Sequence, residues 1–452
     1  MTKRAAVILA AGQGTRMRSS LPKVLHEVGG RPMVDWSVAL AKAVGCERII
    51  VVCSPAGVSV QEHIAASLGA DAIAIQDPPL GTGHAVLSAK DALQDFAGEL
   101  VVLYADTPLI PASAIEALFA ELESGASVGV LGFEAKTPGA YGRLIMGQGG
   151  DLDAIVEAKE ATQDQLAVSF CNSGVMAAKA QTMFDLLGKV TNENAKGEYY
   201  LTDIVELSRA AGGTCRAVAC DEDDVLGVNS RVELAQAEAA FQTKKRADLL
   251  VAGVTMTAPE TVFFSHDTHI ENDVTIEPHV VFGPGVTVQS GAKVRAYSHL
   301  EGADVAGGCE IGPYVRLRPG AVLEEGAKIG NFVEVKNTRL GKGAKANHLA
   351  YLGDGDVGAG ANIGAGTIFC NYDGFLKYKT KVGDGAFVGS NSSLVAPVTI
   401  GEGAYVGSGS VITKDVEPNG LAVARGRQMQ KTGWATSFRD KMAAIKAAKK
   451  KG

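Results

Sequence analysis

The 452-residue chain lacks the features that mark several classes of protein. Its seven cysteines are odd in number and include no C-x-x-C pair, which argues against a disulfide framework or a structural zinc site. Acidic residues outnumber Lys and Arg to leave a net charge of -7, so we expect no nucleic-acid partner. The sequence has no apolar run long enough to cross a bilayer and no signal-peptide pattern, so we expect a cytoplasmic protein without membrane insertion.

The chain is rich in glycine, with 55 residues that crowd its second half. In the first half, short apolar runs alternate with stretches of helical spacing: the runs are 7–9, 48–53, 100–104 and 128–133, and the helical stretches are 34–44, 84–93 and 112–123. This alternation predicts an α/β, Rossmann-like domain with a mostly parallel sheet, whose ligands lie beyond the carboxyl ends of its strands.

The second half has a period of six. Bulky apolar residues recur every six positions from Ile270 to Leu300, from Val305 to Val335 and from Val382 to Ile412. Hexapeptide periodicity with small residues in between is typical of a parallel β-helix, and the resemblance to hexapeptide-repeat proteins implies left-handed winding. We therefore expect four segments: an α/β, Rossmann-like domain at 1–229, a linker helix at 230–250, a left-handed β-helix domain at 251–425, and a C-terminal tail at 426–452.

The loop after the first apolar run, LAAGQGTRMRSSLPK (9–23), combines two glycines with Arg16 and Lys23. It is not a dinucleotide fingerprint, because Met17 stands where G-x-G-x-x-G requires its third glycine, and it lacks the G-K-[ST] ending of a P-loop. The N–H groups of such a turn, with a guanidinium and an ammonium, suit a triphosphate, although glycine turns are also purely structural. Asp106, after another buried run, suits either Mg²⁺ or a plain turn.

Eight motifs occur in an order that resembles the sugar-1-phosphate nucleotidyltransferases: LAAGQGTRM, LPKVLH, LGTGHA, YADTPL, AYGR, IVEAKEA, CNSGVM and GVNSR. With the β-helix, the chain resembles over its whole length the bacterial family of bifunctional N-acetylglucosamine-1-phosphate uridylyltransferases and glucosamine-1-phosphate acetyltransferases. The resemblance implies that 1–229 is a nucleotidyltransferase (pyrophosphorylase) domain and that the left-handed β-helix at 251–425 is an acetyltransferase domain. The resemblance implies a nucleotide against Leu9, Ala10, Ala11 and Gly12; catalytic contacts to the triphosphate from Arg16 and Lys23; uracil recognition by Gln76, Gly81 and Thr82; sugar binding by Gly142, Glu157 and Asn172; and Mg²⁺ on Asp106 and Asn229. A glutamine amide can donate to a uracil carbonyl and accept from N3–H.

Polar and aromatic residues crowd 331–372, where plain rungs would carry small and aliphatic ones, and 370–381 interrupts the repeat. Acetyl transfer to an amine needs a proton acceptor, an oxyanion donor and cations for a sugar phosphate. The resemblance implies His348 as general base with Glu334 fixing its tautomer; substrate binding by Arg318, Lys336, Tyr351, Asn362 and Lys377; and an acetyl-CoA groove along Ala365, Asn371, Tyr372, Ser390, Ser408 and Arg425. The Ala365 N–H is the candidate oxyanion donor.

We therefore expect an enzyme that acetylates glucosamine-1-phosphate with acetyl-CoA. It would then transfer UMP from UTP to the product, giving UDP-N-acetylglucosamine for cell-envelope synthesis and pyrophosphate. Mg²⁺ is the expected cofactor. Because such prisms commonly trimerise, we also expect a homotrimer with the acetyl-transfer site between subunits. The alternative is a single-activity sugar-1-phosphate nucleotidyltransferase whose β-helix is only a scaffold.

Overall fold

The computed structural model describes residues 2–12, 14–147, 149–194 and 196–449. The chain divides into two units. Unit 1 is Met1–Val251 with Phe263–Thr268, and unit 2 is Ala252–Val262 with His269–Gly452. The end of the predicted tail, 450–452, lies outside the described residues. No helix in the described ranges is long and apolar enough to span a membrane.

Unit 1 alternates strands and helices along the chain. Its strands are β1 Arg4–Leu9, β2 Glu27–Val28, β3 Arg31–Pro32, β4 Cys46–Cys53, β5 Ile73–Ile75, β6 Glu99–Tyr104, β7 Val128–Glu134, β8 Arg143–Met146, β9 Leu152–Val156, β10 Phe170–Lys179 and β11 Cys215–Cys220. Its α-helices are α1 Met33–Ala43, α2 Val58–Leu68, α3 Thr82–Leu87, α4 Ala112–Glu123, α5 Gln163–Leu166, α6 Ala180–Leu187, α7 Asp203–Ala210 and α8 Arg231–Val251. Single 3-10 turns are found at Thr15–Met17, Lys23–Leu25, Ala70–Ala72, Asp91–Leu93 and Glu222–Val225.

The main sheet of unit 1 has the strand order β11-β7-β10-β6-β1-β4-β5, in which only β10 runs antiparallel to its neighbours. Alternate residues of β1 enter two apolar cores: Ala6 and Ile8 belong to one, Ala5 and Val7 to the other. A strand buried on both faces is apolar throughout, which explains its uninterrupted run. Because β1 and β6 are adjacent and parallel, the loops that follow them leave the same edge of the sheet.

One predicted helix is shorter than expected. The stretch 84–93 forms α3 only as far as Leu87, and a separate 3-10 turn follows at Asp91–Leu93. The break arises because the N–H groups of Ala89 and Lys90 donate to carbonyls three residues back, those of Val86 and Leu87. This tighter pattern ends the α-helical ladder.

Unit 2 is built from short strands whose mutual pairings, among the described residues, are all parallel. These strands are β12 Thr255–Met256, β13 His269–Ile270, β14 Thr275–Ile276, β15 Val281–Phe282, β16 Thr287–Val288, β17 Lys293–Val294, β18 His299–Leu300, β19 Ala303–Val305, β20 Glu310–Ile311, β21 Arg316–Leu317, β22 Ala321–Leu323, β23 Lys328–Asn331, β24 Glu334–Leu340, β25 Lys345–His348, β26 Tyr351–Val357, β27 Asn362–Ile363, β28 Ile368–Cys370, β29 Thr380–Val382, β30 Phe387–Val388, β31 Ser393–Val395, β32 Val398–Ile400, β33 Tyr405–Val406, β34 Val411–Ile412 and β35 Leu421–Ala422. A 3-10 turn lies at Pro259–Thr261, and α9, Trp434–Lys449, follows the last strand.

The period of six is confirmed in the core of unit 2. Every bulky position of the three predicted runs, from Ile270 to Ile412, is at most 5% exposed. Most paired residues are 17 or 18 apart, as in His269 with Thr287 and Lys293 with Glu310, so three hexapeptides make one coil. The spacing is 20 at the first pair, 25 across the 370–381 excursion and 16 at the last pair. This parallel stacking of hexapeptide rungs is consistent with the expected left-handed β-helix.

A ladder of aromatic rings runs along one corner of unit 2. His279, Tyr297, Tyr314 and Phe332 stack with ring centroids 4.9, 5.0 and 5.2 Å apart. All four have φ between 57° and 61°, a region in which bulky residues are strained. Offset stacking of aromatic rings, at about 0.5–1.5 kcal/mol per pair, offsets part of that cost.

Candidate active sites

The first site is centred on a lysine held between two oxygen ligands. The Lys23 ammonium donates to Asp106 Oδ2 at 2.5 Å and to Asn229 Oδ1 at 3.1 Å. Asp106 is the second residue after β6, and the N–H of Val228 donates to its carbonyl at 2.8 Å. This backbone hydrogen bond brings Asn229 next to Asp106, the candidate metal ligand, as the resemblance implied. Two hard oxygens therefore converge on one cation.

The loop after β1 sets the position of that lysine. Gly14 has φ +59°, and a Cβ at this position would stand 2.5 Å from Cβ of Lys23. The turn therefore needs glycine both for its backbone conformation and for the close approach of the lysine. Arg16 extends from the next turn with an exposed side chain, free to meet an anion. Leu9, Ala10, Ala11 and Gly12 form the strand end and the first part of this loop.

The predicted base-reading residues lie together. Gln76 is buried, and its amide Nε2 donates to the Gly81 carbonyl at 2.9 Å and lies 3.4 Å from His84 Nδ1, which accepts when that nitrogen carries no proton. Thr82 begins α3, and its Oγ1 accepts from the N–H of Leu201 at 3.1 Å. In that tautomer of His84, both protons of the Gln76 amide have acceptors within the protein. When His84 Nδ1 accepts, the Gln76 oxygen Oε1 is left to meet a base.

The predicted sugar-binding residues form a second group at the same sheet edge. The N–H of Asn172 donates to the Gly142 carbonyl at 2.8 Å. A Cβ on Gly142 would lie 3.5 Å from Glu157 Oε1 and 3.7 Å from Cβ of Asn172, so the three residues are neighbours. Burial raises the pKa of Glu157, and the ammonium of Lys196 partly offsets this.

Two residues that sequence reasoning did not single out join this site. Tyr104 ends β6 and is hydrogen-bonded to Thr82; burial, followed by the nearby carboxylates of Asp106 and Glu157, raises its pKa. These interactions link the metal-binding, base-reading and sugar-binding groups. Lys196 lies 5.8 Å from the ring of Tyr200 and acts on Glu157. The sequence pattern that could have identified this segment is the dense run of charged residues and tyrosines at 196–203.

The second site lies in unit 2 and contains a cluster of three cations. Arg318 and Lys336 occupy equivalent positions on adjacent coils, since the N–H of Arg318 donates to the Val335 carbonyl at 2.8 Å. The pKa of Lys336 is lowered because its ammonium contacts that of Lys377, from the 370–381 excursion. Three neighbouring positive charges, of which Arg318 is paired with the Glu334 carboxylate, suit a doubly charged phosphate.

Glu334 is not placed as we expected. Its Oε1 accepts from Arg318 Nη1 at 2.8 Å, and no hydrogen bond joins it to His348 within the described ranges. The reason is register: His348 pairs with Asn331 of the preceding coil, whereas Glu334 pairs with Arg316 and Tyr351. Glu334 therefore orients Arg318, and the exposed imidazole of His348 is left open to a substrate.

A carboxylate beneath the cations orients one of the predicted cofactor residues. Asp354 accepts from Asn371 Nδ2 and, at 2.7 Å, from Asn337 Nδ2. Burial by itself would raise the pKa of Asp354, but these two hydrogen bonds and the neighbouring lysines hold it below its ordinary value. Sequence reasoning missed Asp354 because an aspartate among rungs reads as a solvated turn residue. Its charge fixes the amide of Asn371 and supports the basic cluster.

The remaining groove residues lie on successive coils. Ala365 accepts from the N–H of Asn391, Ser390 accepts from that of Gly409, and Arg425 Nη1 donates to the Ser408 carbonyl at 2.6 Å. The Ala365 N–H itself donates to no backbone carbonyl in the part of the chain that the structure describes. Tyr372 lies on the excursion and is 60% exposed, and Asn362 is on β27. Of the predicted acetyl-CoA residues, Tyr372, Ser390, Ser408 and Arg425 are exposed, whereas Asn371 is buried.

Two family models match the chain. Residues 6–170 match a MobA-like NTP transferase domain, and residues 379–414 match the bacterial transferase hexapeptide model of six repeats. Together with the two sites, these matches define a nucleotidyltransferase domain followed by a hexapeptide transferase. None of the described residues form a group of three or more His, Cys, Asp or Glu side chains able to hold a metal ion.

Relatives that match the chain over its full length identify its family more specifically than the two domain models do. The chain is 64% identical to the bifunctional protein GlmU of Hyphomonas neptunium, over 99% of this chain and 97% of that protein. It is 59% identical to the bifunctional protein GlmU of Caulobacter vibrioides, over 99% and 96%. A crystal structure of UDP-glucose pyrophosphorylase complexed with UDP-glucose matches at 18% identity and a TM-score of 0.43, covering 54% of this chain and all of that one, a likeness too distant to carry an argument.

The chain belongs to the GlmU family of bifunctional proteins. The predicted enzyme, a uridylyltransferase joined to an acetyltransferase, is thereby confirmed, and so is the predicted fold class. The alternative of a single activity with a structural β-helix is not favoured.

Proposed function

We propose that unit 1 carries out uridylyl transfer at the Lys23–Asp106–Asn229 group and unit 2 carries out acetyl transfer at His348. The single observation that best supports the first assignment is the Lys23 ammonium held by oxygens of two segments distant in sequence. A turn aspartate with no further role would not need an amide oxygen from residue 229 beside it.

The donor set of this group fits Mg²⁺. A carboxylate and an amide oxygen are hard ligands, and they already converge on a cationic group, the ammonium of Lys23. We propose that Asp106 and Asn229 hold the metal ion, which neutralises charge on the substrate phosphates when bound. Lys23 would then be released towards the triphosphate.

The uridylyl transfer needs no protein nucleophile. A phosphate oxygen of N-acetylglucosamine-1-phosphate attacks the α-phosphorus of UTP in line, a new P–O bond forms, and pyrophosphate leaves. The chain contributes positioning and charge. Lys23 and Arg16 meet the phosphates, Gln76 meets the base, and Glu157 with Asn172 holds the sugar.

In unit 2, the amine of glucosamine-1-phosphate attacks the thioester carbon of acetyl-CoA, the C–S bond breaks, and coenzyme A leaves as the thiolate, which then takes up the proton that His348 has accepted. His348 accepts the proton released from the amine. The Ala365 N–H donates to the thioester oxygen as it becomes negative. Arg318, Lys336 and Lys377 bind the sugar phosphate.

The exposed groove also indicates an assembly. A site that faces solvent on one side of a prism is only half a cleft, so we propose that a second copy completes it within a homotrimer. The hexapeptide repeats support an oligomer. We further propose a cytosolic location, where UTP and acetyl-CoA are available and where thiols such as the seven free cysteines stay reduced.

Two substitutions in the full chain test these assignments. Asp106→Ala should abolish pyrophosphate release from UTP and leave thiol release from acetyl-CoA near normal, and His348→Ala should do the reverse. A folded variant that loses both reactions would contradict the assignment of one reaction to each unit.

A further inference from the structure

The amide of Gln76 is held in one orientation. Its Nε2 lies 2.9 Å from the Gly81 carbonyl, which can only accept a hydrogen bond, so the nitrogen must face that way. The second amide proton points to His84 Nδ1 at 3.4 Å. Nδ1 can accept only when it carries no proton itself, so this hydrogen bond forms with the tautomer of His84 that is protonated on Nε2 alone.

The segment that supports this arrangement is itself anchored. Tyr199 donates from its N–H to the Leu80 carbonyl and accepts from the N–H of Gly83, both at 2.8 Å. A Cβ on Gly81, which has φ +109°, would lie 2.6 Å from the Tyr199 carbonyl oxygen. The Tyr199 ring packs near the imidazole of His84, with centroids 6.4 Å apart. Neither the Gly81 carbonyl nor His84 can therefore turn away without displacing the segment that contains Tyr199.

With both amide protons occupied, Oε1 is the hydrogen-bonding atom that Gln76 has left for a base. An acceptor at this place pairs with uracil, whose pairing edge has a single donor, N3–H. Cytosine presents a bare N3 instead, so two lone pairs would face each other. A site built to hydrogen-bond one group rejects an analogue that lacks it, because buried polar atoms are left unpaired.

We propose that His84 is a specificity-determining positioning residue of the uridylyl-transfer site. Through its neutral Nδ1 it helps to hold the Gln76 amide with nitrogen inward and oxygen towards the base, and so favours uracil over cytosine. This inference rests on the proposed function, in which Gln76 meets the base of the nucleotide. His84 acts through Gln76 and does not touch the nucleotide itself.

The test compares UTP with CTP in the full-length enzyme, as the ratio of their kcat/KM values for pyrophosphate release in the presence of N-acetylglucosamine-1-phosphate. His84→Leu and His84→Phe remove the acceptor, and the phenylalanine keeps a ring beside Tyr199. His84→Asn restores an acceptor, its Oδ1, near the position of Nδ1. His63→Leu is the matched control, since His63 pairs with Asp35 away from these residues. The ratio does not depend on how much of a variant is folded.

Losing one neutral hydrogen bond should lower the UTP-to-CTP ratio about 3- to 10-fold in the leucine and phenylalanine variants. The asparagine variant and the His63 control should stay within about twofold of the parent, the scatter expected where no hydrogen bond is lost. In a Gln76→Ala background, His84→Leu should have no further effect on the ratio, because His84 acts only through that amide.

Three results would overturn the inference: an unchanged ratio in both acceptor-free variants, an equal drop in His84→Asn, or a drop that persists in the Gln76→Ala background. A parent enzyme that releases no pyrophosphate from UTP would refute the proposed function, and the inference with it. An active parent with any of the three results refutes the role of His84 alone.

Discussion

Replacing Gly14 by alanine should disable uridylyl transfer by displacing Lys23, although Gly14 itself supplies no reacting group. A Cβ at this position would stand 2.5 Å from Cβ of Lys23, whereas carbon atoms settle at about 3.5–4.0 Å. The lysine stem must therefore move by about 1 Å, a misplacement that can cost on the order of 10² in rate. The φ of +59° adds a conformational cost of about 1–2 kcal/mol for an L-residue.

The expected result for Gly14→Ala is a fall of about 100-fold in kcat/KM for pyrophosphate release, with thiol release unchanged. Gly45→Ala is the matched control. Gly45 has φ +75° but no atom within 4 Å of its missing Cβ, and it precedes β4 at the opposite, amino-terminal edge of the sheet. It should lower the free energy of urea unfolding by about 1–2 kcal/mol and leave both reactions intact.

The comparison separates displacement of the lysine from backbone strain. If Gly14→Ala keeps pyrophosphate release within about twofold of the parent, far short of the loss that a 1 Å displacement predicts, the turn does not position Lys23. If both variants lose the reaction equally, strain alone explains the loss.

Three further outcomes are expected. Lys377→Met should raise the KM for glucosamine-1-phosphate about tenfold, as for a lost charge-assisted contact, while Lys379→Met, outside the cluster, should not. Leu394→Ala, which empties a fully buried rung position, should lower the free energy of urea unfolding by about 2–5 kcal/mol, against about 0.5 kcal/mol for the half-exposed neighbour in Val395→Ala. Burial, then the carboxylates of Glu206, Glu160 and Glu157, raises the pKa of Asp203 from 3.8 to about 6; since the charged form opposes folding, stability falls as pH rises from 4 to 6. Asp203→Asn should therefore raise the free energy of unfolding by about 1 kcal/mol at pH 8, after allowance for solvent screening, and leave it unchanged at pH 3.

The fold follows closely from periodicity, whereas the details of the sites follow only in part. The period of six places every bulky residue of the three runs in the core of unit 2, because a rung face has room for one large side chain. The same period implies that Arg318 and Lys336 lie one coil apart, as observed. It also argues against Glu334 as a neighbour of His348, since 14 residues do not complete a coil of 17 or 18, and our pairing of these two residues disregarded that spacing.

In unit 1, the feature that could not be predicted from the sequence is the order of the strands in the sheet. Local pattern identifies β1, β6 and the loops after them, but it does not show that the two strands are adjacent in the sheet. The contacts of Lys23 with Asp106 and Asn229 span 83 and 206 residues. Such contacts depend on strand order, which short apolar runs do not encode, so family resemblance was needed to bring Asn229 into the site.

The ring ladder of unit 2 has a consequence for how this part of the chain can change in evolution. Neighbouring rings of this column lie one coil apart, so the insertion of a whole coil would extend the column and lengthen the prism by about 4.8 Å, the spacing of neighbouring strands. An insertion of three or four residues would instead move a ring out of the column, so that it no longer stacks on the ring of the next coil. Growth by complete turns is therefore tolerated here, and growth by fragments is not.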